Sequence, residues 1–419
     1  MIASPLHLPS GATIRNRIVK SAMSEALGDE INNPTPALIS LYERFGAGGA
    51  GLLITGNTPV DRRHLEHAAN VVLDDQTDLA AMTRLAAAAK RGGALALAQI
   101  AHAGRQTPGA VNPAPLSISD VPLDLPGYGA PVAATEAELE AVIAKFADAA
   151  MLARRCGFDG VEVHAAHGYL LSSSLSPRIN TRADRWGGGL DNRARLTRMV
   201  VRAVRAALGP DGVLAVKLNS ADFQKGGFSA EDSVVVAEIL EADGADLIEV
   251  SGGTFETPVS YQYSAKSEAT KAREGYFLSY AQAVKAAVSI PVMVTGGFRS
   301  RDVMDAALSS GATDLIGMGR PFITDPGAAR ALLTGQTGAA PAVERGFPPP
   351  TDLPPGAALN WFCDQLMLQG THGAADPDLP VIVGHQRYLA RIETATARLP
   401  DARRTAAAAA WLPRTPRRD

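Results

Sequence analysis

Apolar and polar positions along this chain follow two periods. Compact apolar runs at Leu52–Thr55, Ala94–Ile100, Gly160–His164, Val213–Leu218, Leu247–Val250, Pro291–Thr295 and Asp314–Met318 read as buried strands, and Asn16–Met23 reads as a strand preceding them. Between them lie helix-period segments: Pro34–Phe45, opened by a proline near its first turn, then Asp78–Arg91, Glu136–Cys156, Arg193–Leu208, Ala230–Asp243, Ser279–Val288 and Ser300–Ser309. Eight strands in regular alternation with helices predict an α/β fold, a parallel (β/α)8 TIM barrel over residues 1–335. An open doubly wound sheet is the alternative. The strand count favours the barrel, as do the polar or glycine residues at the strands' C-terminal ends, Ser24, Gly56, Gln99, His164, Lys217, Ser251, Gly296 and Gly319.

Past Leu333 the pattern changes. Residues 336–356 are rich in Gly, Pro and Ala and read as a linker; Ala357–Gln369 and His385–Arg398 read as two helices of an extension over 357–400. The Ala/Arg-rich stretch 401–419 reads as a flexible tail. The added helices are expected to cover the barrel mouth or a neighbouring subunit of a homo-oligomer.

Composition narrows the class. The chain has 419 residues, a net charge of −3 and 46% hydrophobic residues, and only the tail is Arg-rich, so nucleic acid is not an expected partner. No apolar run approaches a membrane span and no basic segment precedes an apolar one at the N-terminus, which predicts a cytoplasmic protein without membrane contact. The two cysteines, Cys156 and Cys363, cannot supply the four thiolates of an iron-sulfur cluster, and none is expected.

The strand at Gly160 ends on His164-Ala165-Ala166-His167-Gly168-Tyr169, three proton-handling side chains within six positions. Neutral imidazoles donate N–H to a substrate oxygen, and a phenol, protonated at neutral pH, serves as an acid toward a basic carbanion. A structural pairing or a metal site would use the same histidines. No Glu follows His164 and no third ligand stands at a suitable spacing, so no metal is expected.

Gly46-Ala47-Gly48-Gly49-Ala50-Gly51 satisfies G-x-G-x-x-G, but it ends a helix and leads into a strand, the reverse of a dinucleotide fingerprint. It reads as a helix stop and turn. A better anion signal lies at Gly296-Gly297 and Gly317-Met318-Gly319-Arg320, where bare backbone N–H groups and an arginine end adjacent strands. Tight turns alone would use the same glycines. Lys217, at the end of an apolar run, suits developing negative charge or a Schiff base, and Gln99 offers a donor and an acceptor to an amide-edged ring.

Together these motifs resemble the Old Yellow Enzyme family of NAD(P)H-dependent, FMN-containing ene-reductases. The likeness spans roughly Ile14–Arg330 and includes Ala101-His102-Ala103-Gly104-Arg105-Gln106, Leu175-Ser176-Pro177, Asn180-x-Arg182, Gly187-Gly188-Gly189-Leu190-Asp191-Asn192-Arg193 and Gly317–Pro321. The resemblance implies non-covalent FMN at the barrel mouth. Ser21, Ala22, Met23 and Ser24 would border its ring system, Gly56 and Gln99 would line the ring and its pyrimidine edge, and Lys217 would stand beside N1/O2. Gly296, Gly297, Gly319 and Arg320 would hold the phosphate. It further implies hydride transfer from NADH or NADPH through flavin N5 to the β-carbon of an activated alkene (enone, enal, maleimide or nitroalkene). His164 and His167 would bind the substrate oxygen, and Tyr169 would donate the proton.

Ala22 departs from the family's usual Pro, Lys217 from Arg, and Ser24 from Thr or Cys. Two other readings use the same features: a colourless barrel isomerase or lyase acting on a phosphorylated substrate, and a flavin-binding protein without ene-reductase activity.

Overall fold

In the computed structural model, which describes residues 1–257 and 274–399, eight strands close into a parallel barrel. They are β1 (Ile18–Lys20), β2 (Leu52–Pro59), β3 (Leu95–Ala101), β4 (Gly160–Ala165), β5 (Val213–Asn219), β6 (Leu247–Ser251), β7 (Val292–Thr295) and β8 (Leu315–Met318). Each pairs with its sequence neighbour and β8 returns to β1, so the predicted (β/α)8 barrel is the fold and the open sheet is not. The helices that alternate with them are α1 (Pro36–Ala47), α2 (Leu79–Lys90), α3 (Glu136–Arg155), α4 (Leu190–Leu208), α5 (Ala230–Ala242), α6 (Leu278–Ala287), α7 (Arg301–Ser309) and α8 (Ala328–Thr334), and two short helical turns, Leu170–Leu175 and Arg320–Thr324, follow β4 and β8.

Local chemistry sets their limits. Thr135 caps α3 by accepting from the Glu138 N–H while Glu138 reaches back to the Thr135 backbone, a reciprocal capping box. Helix α1 stops at Gly48, and Gly49 at φ +100° turns the chain toward β2. The glycines at 46–51 are therefore a helix stop; at Gly46 a Cβ would lie 2.3 Å from the Ala88 carbonyl oxygen, so glycine lets α1 meet α2.

Inside the barrel the side chains form layers. At the N-terminal end, Val19, Leu52, Ile54, Leu97, Val213, Ala215, Leu247, Met293 and Leu315 make one apolar cluster. Leu8 and Ile14, beside the short antiparallel pair Leu6–His7 and Thr13–Ile14, complete it from below. Two residues further along, five of the strands turn polar side chains into the interior, Ser21, Gln99, Glu162, Lys217 and Glu249, all buried.

Several boundaries differ from the sequence expectation. Strand β1 is shorter than Asn16–Met23, because the chain leaves the sheet once Ser21 has donated its N–H to the Met318 carbonyl. Strand β2 runs past Thr55 to Pro59, carried over a bulge. The linker carries two short 3₁₀ turns, Val343–Gly346 and Pro350–Asp352, before α9 (Ala357–His372) and α10 (Val381–Ala397). Helix α9 lies on α1, and its Cys363 thiol reaches the Ser24 carbonyl oxygen at 3.4 Å, so the extension covers one side of the barrel mouth. The expected tail, 401–419, lies outside the described residues. Among the described residues no helix is long and apolar enough to cross a membrane.

Candidate active site

The His164 side chain points inward from the rim end of β4. Its Nδ1 accepts the Ala166 N–H at 3.2 Å, which places the ring proton on Nε2. His167 follows at φ +62° and Gly168 at +82°, two left-handed residues that turn the chain so that Tyr169 faces back across the mouth. The turn is held by Asn219, whose Oδ1 accepts the His167 N–H at 3.0 Å, while His167 Nε2 lies 2.8 Å from Ser251 Oγ. Ring centroids are 5.2 Å apart for His164 and His167, 4.7 Å for His164 and Tyr169, and 5.6 Å for Tyr169 and Phe255. The three predicted side chains therefore form one cluster.

Both imidazoles are neutral at pH 7. Burial, then the neighbouring His167 and Lys217, holds His164 well below the ordinary imidazole value. Burial and Lys217 push His167 down to about 3 against the opposing pull of Glu249.

Lys217 and Gln99 sit one layer below the rim. Lys217 Nζ is 2.7 Å from Glu249 Oε1, and Gln99 Nε2 donates to Glu162 Oε1 at 2.6 Å. Burial and the nearby Glu249 raise Glu162 well above the carboxylate range; burial also pushes Glu249 up, but the Lys217 ammonium together with the polar side chains of Glu162 and Thr295 brings it below its ordinary value. Sequence reasoning missed both glutamates. Their one signal is a charged residue inside an apolar run, Val161-Glu162-Val163 and Ile248-Glu249-Val250.

Ser21 Oγ lies 2.8 Å from Thr295 Oγ1, Ala22 packs on the barrel-interior cluster, and Met23 approaches Gly319. Ser24 Oγ donates to Glu66 Oε2 at 2.8 Å, a carboxylate the sequence did not single out. Gly56 turns its N–H to Glu25 at 3.0 Å and Tyr42 at 3.1 Å; a Cβ there would lie 1.9 Å from Glu25 Oε2. A close approach within the protein therefore requires this glycine, whatever it lines.

Across the mouth, Gly296 at φ +147° and Gly297 at +87° end β7, and Gly319 precedes Arg320 after β8. Arg320 Nη1 stands 3.4 Å from Glu344 Oε1, and the buried Arg299 pairs with the same carboxylate. A second carboxylate, Glu274, accepts the Arg299 and Ser300 backbone N–H groups at 2.6 and 2.7 Å, so the two guanidiniums face two carboxylates; the Arg320 guanidinium and the glycine strand ends are the donors that fit a phosphate. Arg299 and Glu344 were not foreseen.

Among the described residues one cluster has metal-ligand proximity, Asp61, His64 and His102. His64 Nε2 accepts the Leu116 N–H at 2.9 Å and His102 Nδ1 the Gly104 N–H at 3.1 Å. Each ring thus spends its lone pair on the backbone, and its remaining nitrogen carries hydrogen, a set suited to the Asp61 carboxylate and not to a cation.

The fold and this mouth define a parallel (β/α)8 barrel whose mouth gathers two imidazoles and a phenol on one side and glycine strand ends with an arginine on the other. Comparison with known proteins is more specific. Residues 2–336 match the model of the NADH:flavin oxidoreductase / NADH oxidase family. The NADH-dependent flavin oxidoreductase nadA of Aspergillus parasiticus is 37% identical over 338 residues, covering 77% of this chain and 76% of that protein. The NADH oxidase of Thermoanaerobacter brockii is 34% identical over 316 residues, 75% of this chain and 48% of its own length. Among solved structures, a 2-naphthoyl-CoA reductase complex superposes with TM-score 0.74 at 26% identity, covering 80% of this chain and 52% of that one. An old yellow enzyme homologue from Zymomonas mobilis superposes with TM-score 0.69 at 22% identity over 84% and 97% of the two chains. The chain spans about half the length of the Thermoanaerobacter oxidase and of the naphthoyl-CoA reductase. It belongs to the NADH:flavin oxidoreductase / NADH oxidase family and is an oxidoreductase that works with a flavin and a nicotinamide nucleotide.

Proposed function

We propose that this chain is an FMN-dependent ene-reductase acting on activated alkenes such as enones, enals, maleimides and nitroalkenes. The observation that carries the reading is the cluster of two neutral imidazoles and a phenol at the mouth of a flavin-family barrel. Bound FMN would supply the two-electron carrier, taking hydride from NADH or NADPH and passing it through N5 to the substrate β-carbon. Gly296, Gly297, Gly319 and Arg320 would hold its phosphate, Ser21, Ala22, Met23, Gly56 and Gln99 would border its rings, and Lys217 would face N1/O2. Ser24 would reach the O4 edge by turning its hydroxyl from Glu66.

His164 donates from Nε2 to the activating oxygen, and His167, oriented by Ser251, donates beside it. As negative charge gathers on that oxygen the two fixed donors stabilise it without reorganising. Tyr169 then gives its proton to the α-carbon. No iron-sulfur cluster is part of this reading, since Cys156 and Cys363 are the chain's two cysteines and both are buried.

An absorbance spectrum of the purified protein tests this, repeated after anaerobic NADH or NADPH and again after an enone. The expected result is a flavin band that bleaches with nucleotide and returns with enone. A colourless protein would instead favour the phosphate-substrate isomerase or lyase, and a yellow one indifferent to enone would leave only flavin binding.

A further inference from the structure

Strand β2 carries an irregularity that bears on the phenol. Ile54 pairs with Leu97 of β3, but Asn57 pairs with Gln99, so three steps on β2 span two on β3. One extra residue is accommodated at Thr55-Gly56, and Thr55 Oγ1 accepts the Gln99 N–H at 2.9 Å in place of a backbone partner. Such a bulge reverses the inward and outward alternation. Ile54 faces the barrel interior, so an unbroken strand would turn residue 57 outward; with the bulge, Asn57 faces inward beside Gln99.

The orientation of the Asn57 amide is fixed by its surroundings. Its Oδ1 accepts from Asn70 Nδ2 at 2.8 Å, so Nδ2 is the end directed at the site. Of its two hydrogens, one goes to Glu66 Oε2 at 2.7 Å and the other points to Tyr169 Oη at 3.4 Å. Glu66 is itself held by Ser24. An oriented donor thus faces the one atom of the cluster that becomes negatively charged when the phenol gives up its proton.

We propose that Asn57 is a positioning residue for proton delivery: its Nδ2–H stabilises the Tyr169 oxygen as that oxygen loses its proton to substrate carbon, and the β2 bulge exists in this chain to aim it there. The proposal rests on Tyr169 as donor. The balance is simple: the Tyr169 O–H bond breaks, a C–H bond forms at the α-carbon, the phenolate keeps the electron pair and accepts from Asn57, and solvent restores the proton. The contact is long for a neutral phenol and is expected to tighten on the phenolate, where a charge-assisted bond is shorter and stronger.

The test is a double-mutant cycle on the FMN-loaded protein. Asn57→Leu and the smaller Asn57→Ala, each of which removes the donor, are each made alone and with Tyr169→Phe. Anaerobic reoxidation is followed with cyclohexenone, which needs a proton at carbon, and with a quinone, which does not. Each Asn57 variant is expected to lower the enone-to-quinone rate ratio roughly ten- to hundred-fold, the range for a hydrogen bond to a charged group. It should also move the alkaline limb of the enone profile to higher pH, and it should add nothing once Tyr169 is Phe. An unchanged ratio in both Asn57 variants overturns the proposal. So does an equal loss in the Tyr169→Phe background, which would make Asn57 structural. A wild-type enone rate in Tyr169→Phe alone would overturn the donor assignment and this proposal with it, whereas a slow Tyr169→Phe beside normal Asn57 variants would remove Asn57 and leave the donor standing.

Discussion

Lys217 Nζ and Glu249 Oε1 lie 2.7 Å apart inside the barrel, both side chains almost wholly buried, with Glu162 as a second carboxyl on the neighbouring strand β4. Removing one partner of a buried ion pair strands the other charge. Lys217→Met is therefore expected to destabilise the apoprotein by about 3 kcal/mol, and Lys217→Met with Glu249→Gln to recover most of that loss. Urea unfolding checks both, and a double variant no better than the single one would show that the pair is not coupled in this way.

His167 gives the acid side of stability a definite sign. Its folded-state value lies near 3, below the ordinary imidazole value of about 6.5, so between those limits the unfolded chain binds a proton that the folded chain refuses. Stability should be full above that window and fall as pH drops through it, by roughly 5 kcal/mol from this residue. His167→Gln should flatten the slope between pH 6.5 and 4; an unaltered slope would place the proton uptake elsewhere.

Arg320 should contribute to cofactor retention. Arg320→Ala is expected to weaken FMN binding by about 1.5 to 3 kcal/mol, and Glu344→Gln, which frees Arg299 and Arg320 from their shared carboxylate, to strengthen it. Titration of apoprotein with FMN measures both, and an unchanged affinity in Arg320→Ala would take that residue out of the phosphate site.

Tyr169→Phe should separate the half-reactions. Bleaching of the flavin by NADH or NADPH should keep nearly its normal rate, while reoxidation by cyclohexenone slows roughly 10²- to 10⁴-fold, the usual contribution of a positioned acid. Stopped-flow absorbance reads both steps, and enone reoxidation at the normal rate would exclude Tyr169 as donor.

The barrel was legible because each strand is an apolar run and each helix has its own period, and the cluster at His164, His167 and Tyr169 because it follows one strand directly. What escaped was chemistry assembled across strands. Glu162 and Glu249 each look anomalous in their own apolar runs, and they make sense only when register sets Lys217 beside His164 on one side and Glu249 on the other. Asn57 lay beyond the expected end of its strand, because a bulge that resets facing leaves no periodic trace. Lys217 and Gln99 were placed at the rim, but strands β5 and β3 each continue two residues beyond them.

The family match ends at residue 336, yet the carboxylate that Arg299 and Arg320 share at the phosphate-suited end of the mouth is Glu344, eight residues past it. With a cofactor phosphate held there as proposed, its grip would be set in part from an appended stretch, with no change to the barrel itself. A natural or engineered exchange of that appendage between related chains would then carry its own setting for cofactor affinity, separable from the imidazole and phenol cluster across the mouth.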